Sequence, residues 1–230
     1  LAAVACAGSG EIRGIPVQLM REHSFSELNL SEDDIGVEGG LLLAYLLPAM
    51  GALTSINLSE NILTNYGRDM TGITELAAAL GVNGSLTSLD LAQNQLCGLD
   101  EYVDGTYTAE GITAFADAMR VNGSLTELSI YGNRVGDEGV GAICEAIQNN
   151  KETKLTSLNF GYNGIGPVGA NAVAAMVAVT GALTELSILG NLVGGEGVGA
   201  ICEAIQSDKE TKLASLNFGV NKIGPVGANA

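Results

Sequence analysis

The sequence predicts an α/β solenoid: a curved stack of strand-plus-helix units, with a parallel sheet on the concave face and helices on the convex face. Three observations predict this fold. One segment is written twice, a single frame of apolar positions recurs along the chain, and each unit changes midway from the period of a strand to that of a helix.

The duplicated segment begins at Leu125 and again at Leu183. Aligned at an offset of 58, residues 125–172 and 183–230 are identical at 40 of 48 positions. The eight differences fall outside the apolar positions of the pattern, so we expect the copies to share a core and to differ only on their surface. A catalytic site needs one arrangement of unlike groups, whereas close repetition is typical of an architectural unit.

The recurring frame starts each unit with leucine, or once with phenylalanine. Apolar residues follow at its fourth, sixth and eleventh positions, and asparagine at its ninth, where the first unit has Asp33 instead. The alternation across the middle of the frame predicts a short strand with one buried face. The units begin at Phe25, Leu53, Leu86, Leu125, Leu155, Leu183 and Leu213.

The second half of each unit predicts a helix. Apolar residues recur there at i, i+3, i+4 and i+7, as in Val140, Ile143, Cys144 and Ile147. Asp137 suits the N-cap of such a helix and Pro167 its first turn. The Asn-Gly pairs at Asn83 and Asn122 suit a helix exit. Because strands pair at about 4.8 Å and helices pack at about 8–10 Å, the stack should bend toward its strands.

The frame resembles that of the leucine-rich repeat family, in particular the strand-plus-helix type of ribonuclease inhibitor. The resemblance runs from Phe25 to Ala230, about seven units with the last truncated. It implies a single repeat domain over residues 25–230, with residues 1–24 as the end of a preceding unit or an N-terminal flank. It also implies a non-enzymatic protein–protein interaction scaffold that binds a partner through its concave face and flanking loops.

The charge of the chain limits the class of partner. A formal net charge of −16 argues against nucleic acid and against an anionic membrane surface. We therefore expect a protein partner with a basic or neutral surface. Residues 155–184 carry no charge, but Pro167 and several asparagines and glycines interrupt the run, which predicts a core helix rather than a membrane span.

The sequence predicts no catalytic, cofactor or metal site. The single histidine, His23, precedes the repeats, so no Ser-His-Asp or Cys-His set can be assembled within them. Cys144 and Cys202 occupy the same helix position two units apart, which is too far for a disulfide. No metal-ligand spacing links them to Cys6 or Cys97. Buried free thiols favour a reducing compartment, so we expect the cytoplasm.

Two asparagine patterns carry different expectations. The frame asparagines should hydrogen-bond the backbone of adjacent loops. The sequons at Asn29, Asn57, Asn83 and Asn122 either carry glycans or arise from the frame, which writes NLS in strands and NGS at turns. The frame asparagines are Asn61, Asn94, Asn133, Asn163, Asn191 and Asn221.

The unit that begins at Leu86 is the longest, because it contains an insertion at residues 97–108. Asp100, Asp104 and Gly105 match three places of a calcium-binding loop, but Tyr102 and Gly111 stand where ligands belong. We expect instead an acidic, tyrosine-bearing loop that projects from the solenoid and is available to a partner.

The candidate binding surface is the outer side of the sheet, where the third, fifth and seventh frame positions point away from the core. Tyr131 and Tyr162, at the ends of adjacent strands, should lie side by side on its rim, and tyrosine is common among binding hot spots. Glu127 and Asp90 nearby favour a basic residue on the partner. The predicted partner-binding residues are Glu27, Asn57, Asp90, Glu127, Ser129, Tyr131, Asn159, Tyr162 and Glu185.

Two other functions stay open at this point. The acidic array also resembles the GTPase-activating protein of the small GTPase Ran, although no activating loop can be located here residue by residue. The other alternative is the sensor region of an innate-immunity-like receptor.

The two ends of the sequence suggest a fragment. It starts at Leu1 without methionine and breaks off at GPVGANA, six residues into a predicted helix. An uncapped solenoid exposes the apolar side of its last unit. We therefore expect self-association through the C-terminal end.

Overall fold

In the computed structural model, which describes residues 10–21, 25–100, 102–207 and 211–224, the frame forms a single parallel sheet. Its seven strands lie in chain order, and each pairs with the next in register. Each strand has three residues. They are β1 (Glu27–Asn29), β2 (Ser55–Asn57), β3 (Ser88–Asp90), β4 (Glu127–Ser129), β5 (Ser157–Asn159), β6 (Glu185–Ser187) and β7 (Ser215–Asn217).

The helices lie on the opposite face, one after each strand from β1 to β6, preceded by one short helix. They are α1 (Val17–Arg21), α2 (Gly36–Leu46), α3 (Thr71–Val82), α4 (Glu110–Met119), α5 (Gly136–Asn149), α6 (Pro167–Val177) and α7 (Gly194–Ser207). Short 3-10 turns follow α2 at Leu47–Ala49 and precede α3 at Asn65–Gly67. The predicted α/β solenoid is confirmed.

Register explains why one face of the sheet is apolar. Each strand pairs frame position with frame position, so that Leu128 stands between Leu89 and Leu158. These central residues are buried, whereas their neighbours along each strand are partly or fully exposed. A side-chain period of two in matched strands therefore produces one continuous core row and one outer row.

The frame asparagines form the predicted ladder inside the stack. Asn133 is fully buried, and its amide nitrogen donates to the carbonyl oxygens of Leu91 and Ile130, both at 2.9 Å. Its Oδ1 accepts from the backbone N–H of Asn94 at 2.9 Å. Asn163 Oδ1 accepts from Asn133 in the same way, at 3.1 Å. Each asparagine thus satisfies buried backbone groups of its own unit and of the unit before it.

A second asparagine ladder lies where the helices exit, and the sequence did not predict it. Asn83, Asn122 and Asn150 are buried, and Asn150 donates to the carbonyl oxygens of Met119 at 2.8 Å and Asn122 at 2.6 Å. Asn150 differs between the two long copies, so the expectation that every difference lies on the surface is wrong. Its Asp208 counterpart lies outside the described residues.

Asp137 also has a different role from the one predicted. The N-cap position of α5 is Val135, which makes no capping hydrogen bond through its side chain. Asp137 lies two residues later, in the first turn of α5, and its Oδ1 accepts from the backbone N–H groups of Gly166 at 2.6 Å and Gly169 at 2.9 Å. The carboxylate therefore caps the next helix, α6, which begins at Pro167 as the sequence predicted.

The three cysteines of the described residues are free thiols that differ in burial. Cys97 and Cys144 are fully buried, and burial raises the pKa of Cys97 to about 12 and that of Cys144 further. Cys202 is only partly buried, although its pKa is also raised by burial. It differs from the prediction because, among the described residues, no helix packs on the far side of α7. Cys6 lies outside the described residues.

Within the described ranges, no helix combines the length and apolar character needed to cross a bilayer.

Candidate partner-binding surface

The outer row of the sheet holds most of the predicted binding residues, but they fall into two groups. At the third frame position, two glutamates accept hydrogen bonds from serines of the preceding strand. Glu127 accepts from the Ser88 hydroxyl at 3.0 Å, and Glu185 accepts from the Ser157 hydroxyl at 3.3 Å. Glu27 is exposed on β1. These carboxylates give the concave face its acidic character.

At the fifth frame position, the side chains stabilise the loop that follows the strand. Asn57, Asp90 and Asn159 each accept through Oδ1 from the backbone N–H two residues later, at 2.8 to 3.0 Å. This bond closes a tight turn at the end of each strand. Part of their hydrogen-bonding capacity is therefore used by the fold, while Ser129 at the same position of β4 is partly buried.

Tyr131 and Tyr162 form an aromatic pair at the ends of β4 and β5. Their ring centroids lie 5.1 Å apart and the rings are tilted by 53°. Each ring rests on a glycine of the next unit, because a Cβ added at Gly161 would lie 2.8 Å from the Tyr131 ring, and one at Gly190 would lie 2.5 Å from the Tyr162 ring. The predicted proximity of the two rings is confirmed, and the glycines leave the space that the two rings occupy.

The pair lines a cleft of about 460 Å³ at the loops that follow the strands. Gln93 and Gly132 lie on one side of it, and Gly190 and Leu192 lie on the other. Arg134 also lines the cleft, so the surface is not purely acidic as the outer row alone suggested.

The insertion at residues 97–108 is anchored to the preceding unit. The backbone N–H of Thr106 donates to the carbonyl oxygen of Tyr66 at 2.9 Å. Gly67 and Gly98 have positive φ and face the Thr106 carbonyl so closely that a Cβ on either would collide with it. Only glycine fits these two positions, so close backbone packing holds the base of the insertion against the solenoid.

Tyr102 extends the tyrosine surface from this anchored base. It is 77% exposed and lines a second cleft, of about 300 Å³, together with Glu60 and Asp100. Gln93 and Gly132 line both this cleft and that of the tyrosine pair. The insertion and the pair therefore belong to one surface along the loops at the carboxyl ends of the strands, which we call the tyrosine rim: Tyr102, Gln93, Tyr131, Gly132, Arg134 and Tyr162.

Comparison with known proteins agrees with the repeat frame. Residues 121–144 and 151–174 match the leucine-rich repeat family model. The NACHT, LRR and PYD domains-containing protein 5 of Bos taurus is 32% identical over 75 residues, which are 33% of this chain and 7% of that protein. The chain therefore contains leucine-rich repeats.

Two solved structures resemble the leucine-rich repeat chain. The leucine-rich repeat-containing protein LegL7 from Legionella pneumophila aligns with a TM-score of 0.58 at 22% identity, over 93% of this chain and 63% of that one. The second, leiomodin-1 actin-binding site 2, aligns with a TM-score of 0.49 at 21% identity, over 64% of this chain and 78% of that one. The match to LegL7 shows the fold.

Backbone conformation explains why sequence reasoning missed Arg134. In most units of the repeat, the eighth and tenth frame positions are left-handed, as in Tyr162 (φ 53°) and Arg134 (φ 53°). Left-handed residues turn their side chains out of the strand alternation, so a rule based on odd positions overlooks them. The signal in the sequence is glycine at the same places, as in Gly132, Gly164 and Gly190.

The other motifs of the sequence contribute little to a chemical site. Asp100 Oδ1 accepts from the backbone N–H groups of Tyr102 and Asp104, and no cluster of three metal ligands lies within the described ranges. Asn83 and Asn122 are buried with their amides engaged, so the glycan interpretation is wrong for the folded chain at these two sequons. His23 lies outside the described residues.

Proposed function

We propose that this leucine-rich repeat protein is a non-enzymatic scaffold that binds a partner protein through its concave face and the tyrosine rim. The observation that carries the proposal is the Tyr131–Tyr162 pair, held over Gly161 and Gly190 and open to solvent. Residues 25–230 would form one repeat domain of the ribonuclease-inhibitor-like type, since strands and α-helices alternate from β1 to α7.

Physical chemistry supports binding at this pair. Tyrosine provides a large contact area with few rotatable bonds, and rings already fixed by packing lose little further entropy when a partner binds. Tyr162 is 43% exposed, so its ring has apolar area to bury. Tyr102 offers a second aromatic contact along the same rim.

The charge distribution supports a basic or neutral partner surface. Glu127 and Glu185 face outward on the sheet, and Glu60 and Asp100 line the cleft near Tyr102. The net charge of −16 would accelerate association with a basic protein and oppose an acidic one. A cytoplasmic location is proposed on the basis of the buried free thiols Cys97 and Cys144.

The experiment uses a random-peptide library displayed on phage and selected on the purified chain. We expect the enriched peptides to contain lysine or arginine beside apolar residues. A photo-activatable group on the best peptide should cross-link to residues 90–93, 127–134 or 159–164. An acidic consensus, or cross-links confined to the helices of the convex face, would contradict the proposal.

A second candidate is the sensor region of an innate-immunity-like receptor. The similarity to a protein that contains NACHT, LRR and PYD domains favours it, although the chain spans only 7% of that protein. The alternative of a GTPase-activating protein stays a prediction. Timing GTP hydrolysis by a panel of small GTPases, with and without the chain, tests it directly.

We also propose self-association through the last unit. Leu213, Leu216 and Phe218 are only partly buried, whereas their counterparts Leu183, Leu186 and Ile188 are buried. The end of the predicted helix, residues 225–230, lies outside the described residues. Light scattering over a concentration series should show oligomers, and a constant monomer mass would contradict this.

A further inference from the structure

A groove of about 810 Å³ lies on the convex face, between α2 and α3, and shares no lining residue with the clefts of the tyrosine rim. Leu41, Tyr45 and Pro48 line one wall, and Ala78 and Val82 line the other. Tyr45 is 57% exposed and Val82 is 77% exposed. Contiguous apolar surface of this kind on a soluble chain often marks an interaction site.

Sequence differences between the units explain the apolar character of this groove. When the units are aligned by the apolar positions of their helices, α2, α3 and α5 carry Tyr45, Ala78 and Glu145 at the same repeat position. In α5, Glu145 pairs with Arg120 of the preceding unit at 3.6 Å, so the matching surface there carries an ion pair. In α2 and α3, the same position carries an aromatic ring and an alanine, which leave an open apolar channel.

Close backbone packing shapes one end of the groove. A Cβ added at Gly40 would lie 3.0 Å from the backbone of Gly72, and one at Gly72 would lie 2.7 Å from the carbonyl oxygen of Val37. The first turns of α2 and α3 therefore touch through glycine. Further along, the small side chains of Ala78 and Ala79 keep the space between the helices open.

The dimensions of the groove suit an α-helix. It is lined along α3 from Thr71 to Val82, which is roughly 16 Å at about 1.5 Å per residue. That length matches three turns of a helix lying along the channel, with apolar residues at i, i+3, i+4 and i+7. A helix satisfies its own backbone hydrogen bonds, so it can enter an apolar channel that offers its backbone no partners.

The charges beside the groove indicate which helix fits. The charged residues that line it, Glu38 and Glu75, are both acidic. Arg13 pairs with Glu38 at 3.5 Å, while Glu75 has no ion-pair partner among the described residues. A second copy of this chain would bring further acidic residues and a net charge of −16, so charge complementarity favours a basic partner over self-association.

We propose that the groove between α2 and α3 is a docking site for an amphipathic helix of a partner protein, with an apolar face and basic flanking residues. This site is separate from the tyrosine rim and does not depend on the function proposed for the rim. It would give the scaffold a second contact on its convex face.

The test uses two fluorescent synthetic peptides of about 14 residues, long enough for the groove. Both carry leucine at i, i+3, i+4, i+7 and i+11; one has lysine and arginine on the flanks and the other has glutamate. Fluorescence anisotropy with the full chain at physiological ionic strength should show saturable binding of the basic peptide. The affinity of the acidic peptide should be lower by a factor of about ten or more.

A matched pair of variants locates the site. Ala78→Arg places a long cation in the channel, and Ala78 is exposed, so the fold should persist. Ala175→Arg adds the same charge at the same repeat position of α6, where alanine is also exposed. We expect Ala78→Arg to weaken the basic peptide about tenfold or more, and Ala175→Arg to change it less than about twofold. Circular dichroism of both variants checks the fold.

Four outcomes would overturn the proposal. The first is no saturable binding of the basic peptide, and the second is equal affinity for both peptides. The third is an equal loss of affinity in Ala78→Arg and Ala175→Arg, which would indicate only long-range charge. The fourth is a dimer of the wild-type chain that Ala78→Arg abolishes, because a second copy would then occupy the groove.

Discussion

The segment from Leu125 and its copy from Leu183 build equivalent strands and helices, yet they present different rims. Tyr131 covers Gly161 in the first copy, and Leu189 covers Gly219 in the second, where an added Cβ would lie 2.9 Å from Leu189. Leucine therefore provides the same cover for the backbone as tyrosine does. The fold therefore does not require an aromatic ring at the position of Tyr131.

Tyr162 and its counterpart Val220 extend the comparison. Both are left-handed, at φ 53° and 57°, in a place where two other units have glycine, Gly132 and Gly190. Such a conformation costs a non-glycine residue about 1 kcal/mol or more. Because both copies carry this strain, strain alone does not distinguish them. The two copies differ instead in the aromatic pair and the cleft that it lines.

The largest effect is expected where the copies are the same, in the asparagine ladder. Asn133→Ala would remove five hydrogen bonds and leave buried backbone groups of two units unpaired. We expect a loss of about 3 kcal/mol or more in the free energy of unfolding, measured by urea denaturation. Ser129→Ala in the neighbouring strand is the control and should change stability by less than about 0.5 kcal/mol. Equal effects of the two changes would contradict the structural role of the ladder.

The next effect concerns Asp137, which the second copy replaces with Gly195. Asp137→Ala should destabilise the chain by about 1.5 kcal/mol, because the first N–H groups of α6 lose their acceptor. Asp137→Asn keeps an acceptor oxygen and should lose less. Hydrogen exchange should localise the loss to residues 166–170. An unchanged exchange rate there would show that the cap contributes nothing.

A smaller contrast is expected between the equivalent cysteines. Cys144 is fully buried and Cys202 is only partly buried, and burial raises the pKa of both thiols above the usual value. A raised pKa lowers the thiolate fraction near neutral pH, and thiolate is the reactive species. With iodoacetamide at about pH 8, Cys202 should be alkylated at least about tenfold faster than Cys144, as followed by mass spectrometry. Similar rates would mean that α5 is more open than its packing indicates.

The strands and the apolar faces of the helices could be predicted because they depend on near neighbours in the sequence. The frame predicts the buried centre of each strand, such as Leu128. The apolar pattern at i, i+3, i+4 and i+7 predicts the buried face of each helix, such as Ile143. Partners in a neighbouring unit could not be predicted for residues outside the frame. The Asp137 carboxylate reaches Gly166, and Asn150 reaches Asn122, only because the units stack in one particular register.

The candidate site was predicted in part for the same reason. Adjacent frame positions were enough to bring Tyr131 beside Tyr162. The outward turn of Arg134 depends on a left-handed backbone, and the link to Tyr102 depends on how the insertion is anchored at Gly67 and Gly98. The convex groove requires the side chains of two helices together, which no single repeat reveals.

The central claim is that the aromatic pair serves binding and not folding, and exchanging residues between the copies tests it most directly. The double variant Tyr131→Leu with Tyr162→Val carries the residues of the second copy, and Leu189→Ala with Val220→Ala is the matched control. Titration calorimetry with a peptide selected on the wild-type chain should show a loss of about 2 kcal/mol for the first variant and little change for the control. Thermal unfolding should show that the first variant keeps its stability to within about 1.5 kcal/mol. Unchanged affinity of the first variant would contradict the claim and place the binding site elsewhere.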